Sequence, residues 1–147
     1  SYGAAIQRVE GATRVLRDAG LDLVGGEALY GAWSEEWGRG GTRALLDRWG
    51  AGGVDAIICG SDVIARGVLD ELRETGLEAP LDVAVMGHDN WKLLAESARP
   101  ALSTIDMNLE ELGHHAAARL MQAMDGKQQG GVESIEPRLV VRSSTSG

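Results

Sequence analysis

The chain has no phenylalanine, only three prolines and a single cysteine in 147 residues. One cysteine excludes an internal disulfide, and Cys59 lies in an apolar, strand-like run, the usual setting of a small buried hydrophobe. Positive charge is also scarce: 14 Lys and Arg face 22 Asp and Glu, a formal net charge of −8. That balance opposes the basic footprint of a surface that neutralises phosphates, so direct DNA binding by these residues is not expected. No apolar run reaches membrane-spanning length, and no charged leader precedes an apolar stretch. A start at Ser1, already inside a helical pattern, predicts a piece of a longer cytoplasmic protein with no membrane partner.

What is present is alternation. With 44% hydrophobic residues the chain can bury one ordinary domain core. Ile6, Val9, Thr13 and Leu16 share one helical face, with a stop at Gly20. A short strand is expected around 23–29, then Ser34 as an N-cap with Glu35 and Glu36 in the favourable first turn. The helix that follows must absorb Gly38, Gly40 and Gly41, each costing about 1 kcal/mol relative to alanine, so an irregular start is expected. Further on come a strand at 56–59, a helix at 62–75, strands at 83–86 and 102–105, and a short helix at 91–97. A capping box of Asn108 and Glu111 would open a helix bearing Leu109, Leu112, Leu120 and Met124, and a final strand covers 138–142. Strands alternating with helices predict an α/β fold, a parallel sheet with helices on both faces.

Chemistry concentrates between Asp55 and Gly113. Two apolar strands end abruptly in Gly plus short polar residues, as Ile57-Ile58-Cys59-Gly60-Ser61-Asp62 and Val85-Met86-Gly87-His88-Asp89-Asn90. Side-chain oxygens thus emerge at strand carboxyl ends, where open α/β sheets bind small ligands. A third block, Leu102-Ser103-Thr104-Ile105-Asp106-Met107-Asn108-Leu109, leads out of the last of these strands. The three blocks in this order, with the ending Pro137-Arg138-Leu139-Val140-Val141-Arg142-Ser143-Ser144-Thr145, resemble the effector-binding domain of LacI/GalR-type bacterial regulators, which has the periplasmic-binding-protein-like fold.

The resemblance implies a division of the chain. Residues 1–105 would belong to the C-terminal subdomain, 106–130 to a crossover and a helix packing on an N-terminal subdomain, and 131–147 to a closing strand. It implies a small polar effector, most often a sugar, operator DNA bound through a separate helix-turn-helix headpiece, and a homodimer using the helix with Val63, Ile64, Gly67, Val68 and Leu72. No cofactor and no metal are implied. A sugar-binding protein of a transport system is the alternative of similar architecture.

Site residues follow from the same resemblance. Arg8 matches an effector-gripping arginine whose planar fork suits paired oxygens, against the alternative of a surface ion pair. Trp33 matches an aromatic pocket wall, or is a core residue beside a helix cap. Asp89 matches the ligand carboxylate, able to accept from vicinal hydroxyls, and could instead cap the short helix after it. Ser61 and Asp62 stand where the family often has Asn-Asp, with Asp62 equally readable as an N-cap. His88 replaces a more usual aromatic or apolar residue, and Met107 replaces a glutamine with an adaptable apolar group.

Other motifs are weak. Gly38-Arg39-Gly40-Gly41-Thr42 lacks the spacing of a phosphate loop. His114 and His115 are adjacent, so they diverge on a helix and do not form a two-histidine zinc pair. No nucleophile elbow is present, and an enzyme is not expected.

Overall fold

The computed structural model describes residues 2–127 and 130–146. Five helices, α1 (Tyr2–Asp18), α2 (Glu35–Trp49), α3 (Asp62–Glu74), α4 (Lys92–Ser97) and α5 (Leu109–Met124), alternate with four strands, β1 (Ala56–Ile58), β2 (Ala84–Asp89), β3 (Ser103–Asp106) and β4 (Arg138–Val140). The strands form one sheet in the order β1-β2-β3-β4. The first three are parallel, as crossover helices require, but β4 returns antiparallel to β3, so the sheet is mixed rather than wholly parallel. Beyond β4 the tail is stitched between neighbours. Ser144 Oγ donates to the Val85 carbonyl, and the Ser103 amide donates to Ser144 Oγ. The Ser144 backbone also accepts from the Val85 N–H and donates to the Ala101 carbonyl, so the ending is held to the sheet by backbone and hydroxyl together after β4.

The core lies where α3 crosses the sheet, built from Ala65, Val68, Leu69 and Leu72 with Val83, Val85, Ala95, Ala98 and Leu102. Val68 and Leu72 are thus filled internally, which removes them from the face expected to meet a second copy; Val63 and Ile64 remain half-buried. Outside α3 lies α2, and the two helices approach backbone to backbone. A Cβ on Gly67 would strike the Glu35 carbonyl, and one on Gly38 the Ile64 carbonyl. Of the glycines expected to loosen α2, Gly38 is instead a contact point, Gly40 and Gly41 meet open space, and the helix is regular from Glu35 onward. Around this contact, Arg43 grips the buried Glu71 with two donors at 2.9 Å each.

Two other expectations fail locally. No strand forms at 23–29; Val24–Gly26 is a single 3-10 turn in which Gly25 and Gly26 take φ of 75° and 77°. With no strand there, β1 is an edge of the sheet, and Ile58 on it is exposed. The capping box at α5 is also absent. Asn108 adopts φ 53° with no side-chain cap bond, because its amide oxygen accepts from Arg138 instead. The helix forms nonetheless, with Leu109, Leu112, Leu120, Met121 and Met124 all exposed along it. Neither α1 nor α5 contributes a described residue to the buried core. The stretch 126–131 is Gly-rich in sequence and includes 128 and 129, which lie outside the described residues.

Candidate functional site

The carboxyl ends of β1, β2 and β3 meet in one polar cluster. From β1 the chain passes through Gly60 to Ser61, whose hydroxyl caps α3 by accepting the Ile64 amide at 3.2 Å. Ser61, not Asp62, is therefore the N-cap. Asp62 points inward and is 0% exposed, with both oxygens engaged. Thr104 Oγ1 at the β3 end donates to Asp62 Oδ1 at 2.6 Å, and the Trp91 backbone N–H donates to Oδ2 at 2.8 Å. Gly87 of β2 is required by this geometry, since a Cβ there would collide with Asp62 Oδ1. Asp62 thus ties the three strand ends together and presents no surface to a ligand.

Burial pushes the Asp62 carboxyl above its ordinary value. The bonds from Thr104 and Trp91 oppose that shift, the nearby Asp89 charge adds to it, and Arg142 opposes it. The same burial, with the Asp62 charge, lifts the Cys59 thiol to about 12. Cys59 is accordingly an inert core thiol.

Beyond Gly87 the strand runs into His88 and Asp89, whose side chains meet at 3.1 Å between Nδ1 and Oδ1. The Asp89 side chain is 28% exposed, against 13% for His88. Asp89 has φ 108° and Asn90 φ 51°, a conformation costly for residues with a Cβ and held here by hydrogen bonds. Asn90 donates its backbone N–H to Thr104 Oγ1 and accepts from Arg142 Nη2 at 3.0 Å. Asp89 does not cap α4: Trp91 occupies the N-cap position with no side-chain bond, so the start of that helix does not engage the carboxylate.

On the other flank, Arg8 of α1 donates to the Gly60 carbonyl at 2.7 Å, and its guanidinium lies 5.8 Å from the centre of the Trp33 ring. Trp33 packs over Gly60, where a Cβ would stand 3.2 Å from the ring, and remains about half exposed. Its position is fixed one residue later by Ser34, which accepts the Trp37 amide at 3.1 Å and caps α2. Arg8, Trp33 and Gly60-Ser61 therefore form one group, while Asp62, His88 and Asp89 with Thr104 and Asn90 form the adjoining one. Met107, half-buried, follows directly on the β3 end.

Sequence reasoning missed Thr104, Asn90, Asp106 and Arg142. Asn90 carried a signal, a second short polar residue directly after the strand-end carboxylate. Arg142 carried one only in its place on the closing segment; it reaches back to the Leu102 carbonyl and Asn90. Among the described residues no group of three His, Cys, Asp or Glu side chains could hold a metal ion. None of the described helices is long and apolar enough to cross a membrane.

A mixed α/β sheet thus brings a carboxylate, an arginine and an aromatic to the carboxyl ends of its strands, the place where open α/β sheets take small ligands. By its match over residues 3–145, the chain belongs to the periplasmic binding protein-like domain family. It is 32% identical over 142 residues to the HTH-type transcriptional regulator CelR of Thermobifida fusca, covering 96% of this chain and 41% of that protein. It is 31% identical over 139 residues to the HTH-type transcriptional repressor CytR of Escherichia coli K12, covering 94% of this chain and 40% of the relative. The solved CelR–cellobiose complex superposes with a TM-score of 0.81 at 32% identity, covering 95% of this chain and 42% of that one. The lac repressor bound to ONPG gives 0.84 at 26% identity, covering 97% and 42%. The chain thus spans about two fifths of the length of the curated relatives it matches.

Proposed function

We propose that the chain is the C-terminal half of an effector sensor in a LacI-type transcriptional regulator, taking a small polar ligand of the sugar class at the carboxyl ends of β1–β3. The observation that carries this reading is the placement of Asp89, a partly exposed carboxylate on a strand end beside the Arg8–Trp33–Gly60 group. Asp89 accepts from ligand hydroxyls, with His88 setting the carboxylate's orientation. Arg8 donates to ligand oxygens once released from Gly60, and Trp33 covers an apolar sugar face. Ser61 offers a hydroxyl at short reach and Met107 an apolar contact. Asp62 acts through the others, holding the Asp89 turn by way of Trp91 and Thr104.

In this reading 1–105 and 131–147 form one subdomain, and α5, within 106–130, lays its apolar stripe on a second. Closure of the two on the ligand shifts the population of DNA-binding forms, with DNA held by a headpiece outside these residues. The regulator is a cytoplasmic homodimer. The regulators CelR, CytR and lac repressor among the relatives weigh for this reading over a transport protein.

Calorimetric titration tests it, first with cellobiose, the sugar bound in the CelR complex, and then with a panel of disaccharides, monosaccharides and nucleosides. Affinity of the isolated chain should be weak, since the opposing wall is not part of it. Asp89→Ala, with its fold checked by circular dichroism and thermal melting, should lose binding to whichever compound binds. Unchanged affinity in that variant would move the site elsewhere.

A further inference from the structure

We infer that Asp106 is a positioning residue that locks together two strained turns, the one carrying Asp89 and the one that opens α5. Asp106 ends β3 in register with Asp89 on one side and Arg138 on the other. Its Oδ2 accepts from Asn90 Nδ2 at 3.2 Å, and its Oδ1 accepts from the Asn108 backbone N–H at 2.8 Å. Asp89, Asn90 and Asn108, the described non-glycine residues with positive φ, are the residues flanking this carboxylate. Left-handed backbone at Asp and Asn persists where local hydrogen bonds hold it, and here one side chain bonds to both turns. The connection continues outward. Arg138 donates to Asn108 Oδ1, joining the start of β4 to the same group.

A rearrangement at Asp89 therefore reaches the base of α5 through one carboxylate, a contiguous two-ended contact of the kind that can couple sites. The role of Asp106 as a link from ligand to α5 rests on the reading that Asp89 holds the effector; the lock between the turns does not.

Donor and acceptor roles supply the test. In Asp106→Asn one of the two bonds is lost, because the new amide N–H2 faces the Asn90 N–H2. Asn90 cannot relieve this by flipping, since its oxygen already accepts from Arg142. Adding Asn90→Asp restores the bond with its direction reversed, and the new carboxylate still accepts from Arg142. Amide hydrogen exchange on the ligand-free chain should show Asn90, Asn108 and Leu112 exchanging roughly fivefold faster in Asp106→Asn, the effect of one lost hydrogen bond. In the double variant the rates should return toward wild type. Asn90→Ala, which removes the bonds to both Asp106 and Arg142, should accelerate the Asn108 and Leu112 amides as well. Acceleration confined to one turn, or no recovery in the double variant, would overturn the lock. Because no ligand is used, that result would leave the cleft reading standing, whereas an unchanged affinity in Asp89→Ala would leave the lock standing.

Discussion

Thr104 Oγ1 donates to Asp62 Oδ1 at 2.6 Å with both residues fully buried, so a single hydroxyl supplies half of what keeps an interior carboxylate hydrogen-bonded. The same hydroxyl oxygen accepts the Asn90 backbone N–H, which places it between the buried carboxylate and the turn of the candidate site. Thr104→Val keeps the shape and removes both interactions. Leaving a charged buried group short of a donor costs about 1.5 to 3 kcal/mol, so the denaturation midpoint should fall accordingly with an unchanged m-value. A loss below about 0.5 kcal/mol, no more than an ordinary surface substitution costs, would mean that water replaces the hydroxyl.

Asp62 also sets a pH dependence. Its folded-state carboxyl titrates above the ordinary range, chiefly through burial, so the folded protein binds the proton more tightly than the unfolded chain does. Stability from this group is therefore greatest at low pH and declines as pH rises from the ordinary carboxylate value through the raised one. Asp62→Asn removes the titration. The difference in unfolding free energy between wild type and variant should shift against wild type across that window. Parallel pH profiles for the two proteins would show that the carboxyl is not raised.

Cys59 should be silent in the native state. It is 6% exposed, and burial followed by the Asp62 charge lifts its thiol to about 12, so almost no thiolate exists near neutrality. A thiol-reactive chromophore should label the chain only at the rate of unfolding, with full reaction in denaturant. Rapid native labelling would place Cys59 at the surface.

Much of this architecture is legible in the sequence because burial leaves a periodic trace. The alternation of strands and helices, the caps at Ser34 and the stop after Asp18 all follow from local chemistry that the fold keeps. The misses share a different cause. Gly25 and Gly26 fall in a stretch expected as a strand but make a turn, and Asn108 reads as a cap when tertiary partners claim its side chain. Of the candidate site residues, Asp89 ends a strand, Ser61 and Trp33 stand at helix starts, and Arg8 reaches the Gly60 carbonyl from within α1. Asp62 is legible as a polar residue but not as a buried one, because its partners Thr104 and Trp91 lie 42 and 29 positions away in the chain. Asp106 and Arg142 are hidden for the same reason.

Gly67 gives the sharpest test of that limit, since it is expected on a face toward a second copy and nothing in its neighbourhood marks a contact with α2. In the fold it lies against the Glu35 backbone, and Gly38 makes the reciprocal approach to Ile64. Gly67→Ala would raise helix propensity by about 1 kcal/mol in an isolated helix. Here the added methyl meets backbone, which cannot rotate aside, so α2 must move outward and carry Ser34 and Trp33 with it. Overpacking of this kind costs about 1 to 3 kcal/mol, enough to reverse the propensity gain. Net destabilisation together with greater exposure of Trp33, read as the acrylamide-quenched emission that disappears when Trp33→Phe is added to each protein, is the expected result. Gly40→Ala on the same helix as Gly38 has open space around its Cβ and should be neutral or stabilising. If Gly67→Ala stabilised the chain as much as Gly40→Ala, the two helices would not be in backbone contact, and the placement of Trp33 beside Gly60 would lose its structural basis.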